Sequence, residues 1–297
     1  MDVRARLVAW AGLALALSVA TAPAFPSLVN QSAGDAFEGL FVAIPVVALL
    51  ALIFALRWKE LAGIMSAEGG ATSRLPVRLS GCAIIACLVS LEPVTGQNLA
   101  SSGVAVVLTF YAASMLVNPT TARFILPYAA VYAMVAGAPA VLLWAFGEPL
   151  AVFASGTAEK LVSLAGFAVA WQGTQFQFLS KSGELVSGVV TPGCSSISSV
   201  TMFLGLLALM HIDLKKDFRS TAKLAVAGVL VLTFLDSVRI LILLWVGYAY
   251  GSAALWGLHD WIGYALFLGF FLAALSVYSR MGRVSATAGM PSTAVRL

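Results

Sequence analysis

Long apolar runs recur along the 297-residue chain, and this recurrence decides what it can fold into. A helix needs roughly 20 mostly apolar residues to traverse the hydrocarbon core of a bilayer. Runs of that kind cover residues 7–25, 38–56, 79–95, 98–117, 124–147, 196–212, 224–247 and 260–279. Composition agrees: 61% of the residues are hydrophobic and only 10% are charged, whereas a soluble domain carries roughly 25% charged residues. So few polar groups do not cover a water-facing surface of this size. A soluble enzyme, a nucleic-acid binder and a disordered chain are thereby excluded. The expected class is an all-α polytopic membrane protein of about eight transmembrane helices, or seven if the third run, interrupted by Glu92-Pro93, enters and bends.

Loop charge orients these spans, because cytoplasmic loops carry an excess of Lys and Arg. With a cytoplasmic N-terminus, the inner side receives Arg4, Arg6, Arg57, Lys59, Arg74, Arg78, Arg123, Lys215, Lys216, Arg219, Lys223, Arg280, Arg283 and Arg296, which is 14 of the 17 basic residues. Lys160 and Lys181 fall outside, and Arg239 falls within a run. The formal charge of +4 is thus read as orientation rather than as an anionic partner. The first run, ending in Ala20-Thr21-Ala22-Pro23-Ala24, is taken as an uncleaved anchor, with a cleaved signal peptide as the other reading. The organisation expected is one transmembrane helical domain over residues 1–280 and a disordered cytoplasmic tail over 281–297.

One sizeable outer segment remains, residues 148–195. Leu161, Leu164, Ala165 and Ala168 recur at helical spacing, which predicts a small extracytoplasmic interfacial helix. Gln175-Phe176-Gln177-Phe178 then alternates at a strand's period of two, Lys181-Ser182-Gly183-Glu184 reads as a turn, and Leu185 to Val190 reads as a returning strand. The expected β-hairpin delivers the chain to Thr191-Pro192-Gly193-Cys194, just before the sixth span.

Ionisable groups inside spans are costly and mark function. Arg239 lies in the seventh run, with Asp236 three residues earlier on the same helical face; a self-contained ion pair is the plain alternative to a functional arginine. His211 ends the sixth run beside Asp213, Lys215 and Lys216 and reads as a solvated boundary residue. His259 precedes the eighth run, external and at a helix N-terminus, where the dipole favours a neutral imidazole. Three cysteines cannot all pair. Cys82 and Cys87 share one apolar run and read as buried, inert thiols. Cys194 instead opens a span after the Pro192-Gly193 breaker, where a thiol tends toward its reactive thiolate. Topology places the outer cysteine, the external histidine and the intramembrane arginine on one side. That set suits thiol acyl transfer: Cys194 as nucleophile, His259 as general acid and base, Arg239 as oxyanion stabiliser. No metal-ligand cluster or phosphate-binding glycine loop competes with it, and neither metal nor cofactor is expected.

These residues carry a resemblance. Cys194-Ser195-Ser196-Ile197, Asp236-Ser237-Val238-Arg239-Ile240 and His259 followed by Gly263 resemble three spaced elements of the exosortase/archaeosortase family of polytopic thiol proteases and transpeptidases, over roughly residues 120–270. Two positions depart from it: Ser196 stands where the family has glycine, and Asp236 where it has asparagine. An ionised Asp236 would partly neutralise Arg239, whereas a protonated one would leave its role intact. The resemblance implies a bacterial inner-membrane enzyme that cleaves exported proteins bearing a C-terminal motif, a hydrophobic span and a basic end. Cleavage would pass through a thioester at Cys194, with membrane lipids as surroundings. A transporter using Arg239 and Asp236, and a noncatalytic scaffold for envelope polysaccharide assembly, are the competing readings.

Overall fold

A computed structural model describes residues 59–60, 63, 75–90, 99–117, 119–166, 168–192 and 196–281. The runs at 7–25 and 38–56, the stretch 282–297 and Cys194 lie outside the described residues. In chain order the elements are α1 (Leu75–Ser90), α2 (Leu99–Val117), α3 (Pro119–Leu164), β1 (Ala170–Gln172), β2 (Gln175–Leu179), β3 (Leu185–Val189), α4 (Ile197–Leu214), α5 (Phe218–Tyr250) and α6 (Ser252–Arg280). Four helices among the described residues are long and apolar enough to cross a membrane: Ala122–Leu164, Ile197–Leu214, Phe218–Tyr250 and Ser252–Arg280. The chain is a multi-pass membrane protein. It divides into two compact units, Met1–Val141 and Leu142–Leu297.

In the first unit α1 packs on α2 through Gly81, where a Cβ would stand 2.8 Å from the Ala112 carbonyl oxygen. Small residues permit this approach of two helix backbones where lipid offers no hydrophobic driving force. Buried Thr109 and Ser114 donate to the carbonyls of Ala105 and Phe110, each at 2.8 Å, so their hydroxyls are satisfied within α2 itself. Cys82 and Cys87 are exposed, against the expectation of burial. The α2-facing position of α1 belongs to Gly81, and the thiols lie off it.

The second unit builds its core around the sheet. β1, β2 and β3 form an antiparallel meander in sequence order, with Trp171 opposite Phe176 and Phe178 opposite Val186. Phe176, Phe178, Val186 and Val190 turn inward. They pack with Ala154, Ala158 and Val162 of α3, Ile240 and Leu244 of α5 and Leu255 of α6. Gly188 leaves the room that the Phe176 ring occupies. The turn after β2 is fastened to the α5–α6 corner: the Lys181 N–H donates to the Tyr248 carbonyl at 2.9 Å, and Glu184 Oε1 accepts from the Ser252 N–H at 3.3 Å. A second cluster joins Phe203 and Leu207 of α4, Leu232 of α5, and Ala274 and Tyr278 of α6.

Two expectations are corrected here. The fifth run continues as helix to Leu164 instead of ending near residue 147, so residues 161–164 are the last turn of α3 and not a separate interfacial helix. Glu148 marks a drop in hydropathy, but the helix itself stops where Gly166 takes φ +77. On that last turn Val162 is buried while Leu164 is 85% exposed, so the apolar stripe read from Leu161 and Leu164 is not the packed face. The helix expected over the run at 260–279 starts at Ser252, not near 260, because Gly251 alone connects α5 to α6.

Candidate active site

α5 and α6 pack along each other around that one-residue corner. Arg239 is buried to a side-chain exposure of 13% and reaches from α5 toward α6. Its Nη2 lies 3.1 Å from His259 Nε2. The same Nη2 stands 3.4 Å from Nδ1, so the guanidinium meets both ring nitrogens and lies against the imidazole rather than on the lone pair of one nitrogen. Nδ1 also lies 3.0 Å from Asp260 Oδ1, and because a carboxylate only accepts, an Nδ1–H donates in that contact. Trp256, one turn earlier on α6, places its ring 5.9 Å from the imidazole, centroid to centroid. His259 is held by two charged neighbours, Arg239 and Asp260.

The sequence puts His259 at a helix N-terminus, and the structure puts it seven residues inside α6. The helix dipole fades within the first turn. Arg239 and Asp260 are the charged groups beside it instead.

Asp236 is almost wholly buried, at 3% exposure. Its Oδ1 stands 3.6 Å from Arg239 Nη1, an ion pair too long for a hydrogen bond, and it has no hydrogen-bond partner among the described residues. Arg239 Nε is likewise buried and unpartnered among them. The pair is thus incomplete: the guanidinium spends Nη2 on His259 and keeps Nε free. Gly263, one turn beyond His259, makes this posture possible, because a Cβ there would stand 3.1 Å from Arg239 Nε.

The N-terminal turn of α4 approaches the same face of α5. Ser196 Oγ lies 3.4 Å from Thr233 Oγ1, and Thr233, Asp236 and Arg239 follow one another at helical spacing. This neighbour of the site escaped the reading of the sequence, although the i, i+3, i+6 series at 233, 236 and 239 signals it. Cys194 lies outside the described residues, two positions before Ser196. Among the described residues no group of three His, Cys, Asp or Glu side chains is placed to hold a metal ion. His211, at the far end of α4, has its Nδ1 3.4 Å from the Thr221 hydroxyl and takes no part in the site.

No curated protein and no solved structure matches the chain. A family model described as transmembrane exosortase (Exosortase_EpsH) matches residues 29–276. With most of its length covered, including Arg239, His259 and the segment holding Cys194, the chain belongs to the transmembrane exosortase family.

Proposed function

We propose that the chain is a membrane cysteine endopeptidase or transpeptidase that processes the C-terminal sorting signal of exported proteins on the outer face of the inner membrane, with both termini cytoplasmic. The observation that carries this reading is the 3.1 Å contact between Arg239 Nη2 and His259 Nε2, a cation and a proton acceptor presented by two helices at one buried point.

Cys194 is the nucleophile. Chain order supports it: one residue separates it from Pro192, which packs on Gly147, and one from Ser196, which meets Thr233. The thiolate attacks the scissile carbonyl, and the C–S bond forms as the oxygen takes the negative charge. Arg239 meets that charge, with Nε–H available and Nη2–H moving from the imidazole to the oxyanion. His259 takes the thiol proton before the attack, as Nη2 turns from the imidazole toward the incoming carbonyl, and passes it to the leaving amine as the C–N bond breaks. Water, or an amine of an acceptor, then attacks the thioester, and His259 accepts its proton. Asp260 holds the imidazole in register throughout.

A C-terminal hydrophobic span on the substrate would dock beside the bundle, its basic end retained in the cytoplasm and its recognition motif lifted to the outer interface. The test is Cys194→Ala, co-expressed with an exported protein that carries such a tail. The variant should insert normally and leave the tail uncleaved. Cleavage at the wild-type rate would refute the assignment.

A further inference from the structure

The free edge of β3 is built to accept another strand. Ser180 and Glu184 pair through a backbone bond of 2.9 Å, and Val190 and Thr174 through one of 2.8 Å. Antiparallel pairing alternates bonded and non-bonded positions. With the observed register, Gly188 and Val186 therefore spend their backbone groups on β2, while the N–H and C=O of Ser187 and Val189 point away from it. Among the described residues these outward groups have no hydrogen-bond partner. Both residues are exposed.

Such an edge is a liability that proteins usually blunt with charge or proline. Leu185-Val186-Ser187-Gly188-Val189 carries neither. The strand is also firmly held. Its leading turn is tied to Tyr248 and Ser252 at the α5–α6 corner, and its trailing end is pinned where Pro192 packs on Gly147. An edge that is open, uncharged and immobilised from both ends suits strand addition, in which main-chain bonds supply affinity for an extended peptide.

The geometry points to Ser187 and Val189 as a docking edge for an extended peptide segment of the substrate, laid against β3 just ahead of the residues that lead to Cys194. This rests on the proteolytic reading above and adds where the polypeptide binds. Recognition through backbone groups fixes the depth and direction of the peptide before any side chain is read.

Proline at an outward-facing position removes one donor without touching the β2 pairing. Ser187→Pro and Val189→Pro should each lower processing of the co-expressed tail-bearing protein about tenfold at subsaturating substrate, seen as a raised KM. Ser187→Ala, which keeps the backbone donor, should process normally. Labelling of Cys194 by an impermeant maleimide should stay within about twofold of wild type in all three. Wild-type processing by both proline variants, or an equal loss in Ser187→Ala, overturns the proposal.

A second measurement does not depend on the proline variants folding. Synthetic peptides of the segment preceding the tail's hydrophobic span, each N-methylated at one amide, are tested as competitors against the wild-type enzyme. Strand addition requires that potency fall at every second position; uniform potency, or loss at consecutive positions, overturns it. Cys194→Ala separates the two readings. If that variant still cleaves, the proteolytic assignment fails, whereas if it does not and the edge variants cleave normally, only the docking edge fails.

Discussion

Nδ1 of His259 lies 3.0 Å from Oδ1 of Asp260, the next residue along α6, while Arg239 Nη2 stands 3.1 Å from Nε2 and 3.4 Å from Nδ1 of the same ring. Neighbouring residues on a helix seldom face one another, so the pairing reflects a side-chain posture set by both partners. Asp260 is 61% exposed on its side chain, which places the carboxylate at the rim and the imidazole inside it. Asp260→Asn should lower processing roughly 10–100-fold, the range seen when an orienting partner of a histidine is lost. Nitrogen-15 NMR of labelled His259 provides a readout that general destabilisation would not move. The wild type should show the Nδ1–H tautomer, and the asparagine variant a mixture. An unchanged tautomer with an unchanged rate would remove Asp260 from the mechanism.

Gly263 is the floor on which Arg239 lies. A Cβ at this position would stand 3.1 Å from Nε, closer than ordinary contact, so Gly263→Ala should displace the guanidinium by a few tenths of an ångström. Misplacement by about 1 Å at a reacting centre can cost 10²-fold in rate, and a smaller shift should cost about tenfold. Membrane insertion and detergent-solubilised thermal stability should be retained. A fully active alanine variant would show that the contact with His259 does not depend on this clearance.

The apolar runs from residue 124 onward announce helices that the structure contains, and the alternation at Gln175–Phe178 marks a strand, because both patterns follow from burial of one kind of side chain at a fixed period. The pairing of Asp236 with Arg239 was legible from their spacing, but its looseness was not. A 3.6 Å separation results from His259 and Gly263, which arrive from another helix. The length of α3 was hidden because hydropathy reports the membrane boundary, whereas the helix ends only where Gly166 turns it. β1, with three residues, is too short for any period to show. The contact between Ser196 and Thr233 is tertiary and leaves no periodic trace beyond the spacing on α5 itself.

Asp217 caps α5 outside its span. Its Oδ2 accepts from the Ser220 N–H at 2.9 Å and from the Ser220 hydroxyl at 2.9 Å. The backbone bond from Ser220, chiefly, and then the hydroxyl hold the Asp217 carboxyl below its usual range. A lowered native value means that the unfolded chain takes up the proton first. The stabilisation is therefore complete above the ordinary carboxylate pKa and fades as pH falls through the native value. Thermal unfolding in detergent should show wild type losing more stability than Asp217→Asn between pH 5 and pH 2 (about the span over which a paired aspartate titrates). Parallel curves would place the acid sensitivity elsewhere.

Gly251 joins α5 to α6 with φ +87 and ψ −178, a region open essentially to glycine alone. A side chain there would also collide with the Glu184 carboxylate, which accepts from the Ser252 N–H at 3.3 Å and so occupies the start of α6. Gly251→Ala should then destabilise by two separable routes, backbone strain of about 1–3 kcal/mol and displacement of Glu184. A double-mutant cycle resolves them. If Glu184→Ala is already present, the alanine at 251 should cost only the backbone part, and the difference between the two costs measures the contact. Equal costs in both backgrounds would mean that Glu184 moves aside freely. Because the same corner sets how α5 meets α6, the loss should extend to the Arg239–His259 contact. Gly251→Ala should therefore reduce processing even at temperatures where the variant remains folded, and full activity there would show that the helices keep their register without the corner.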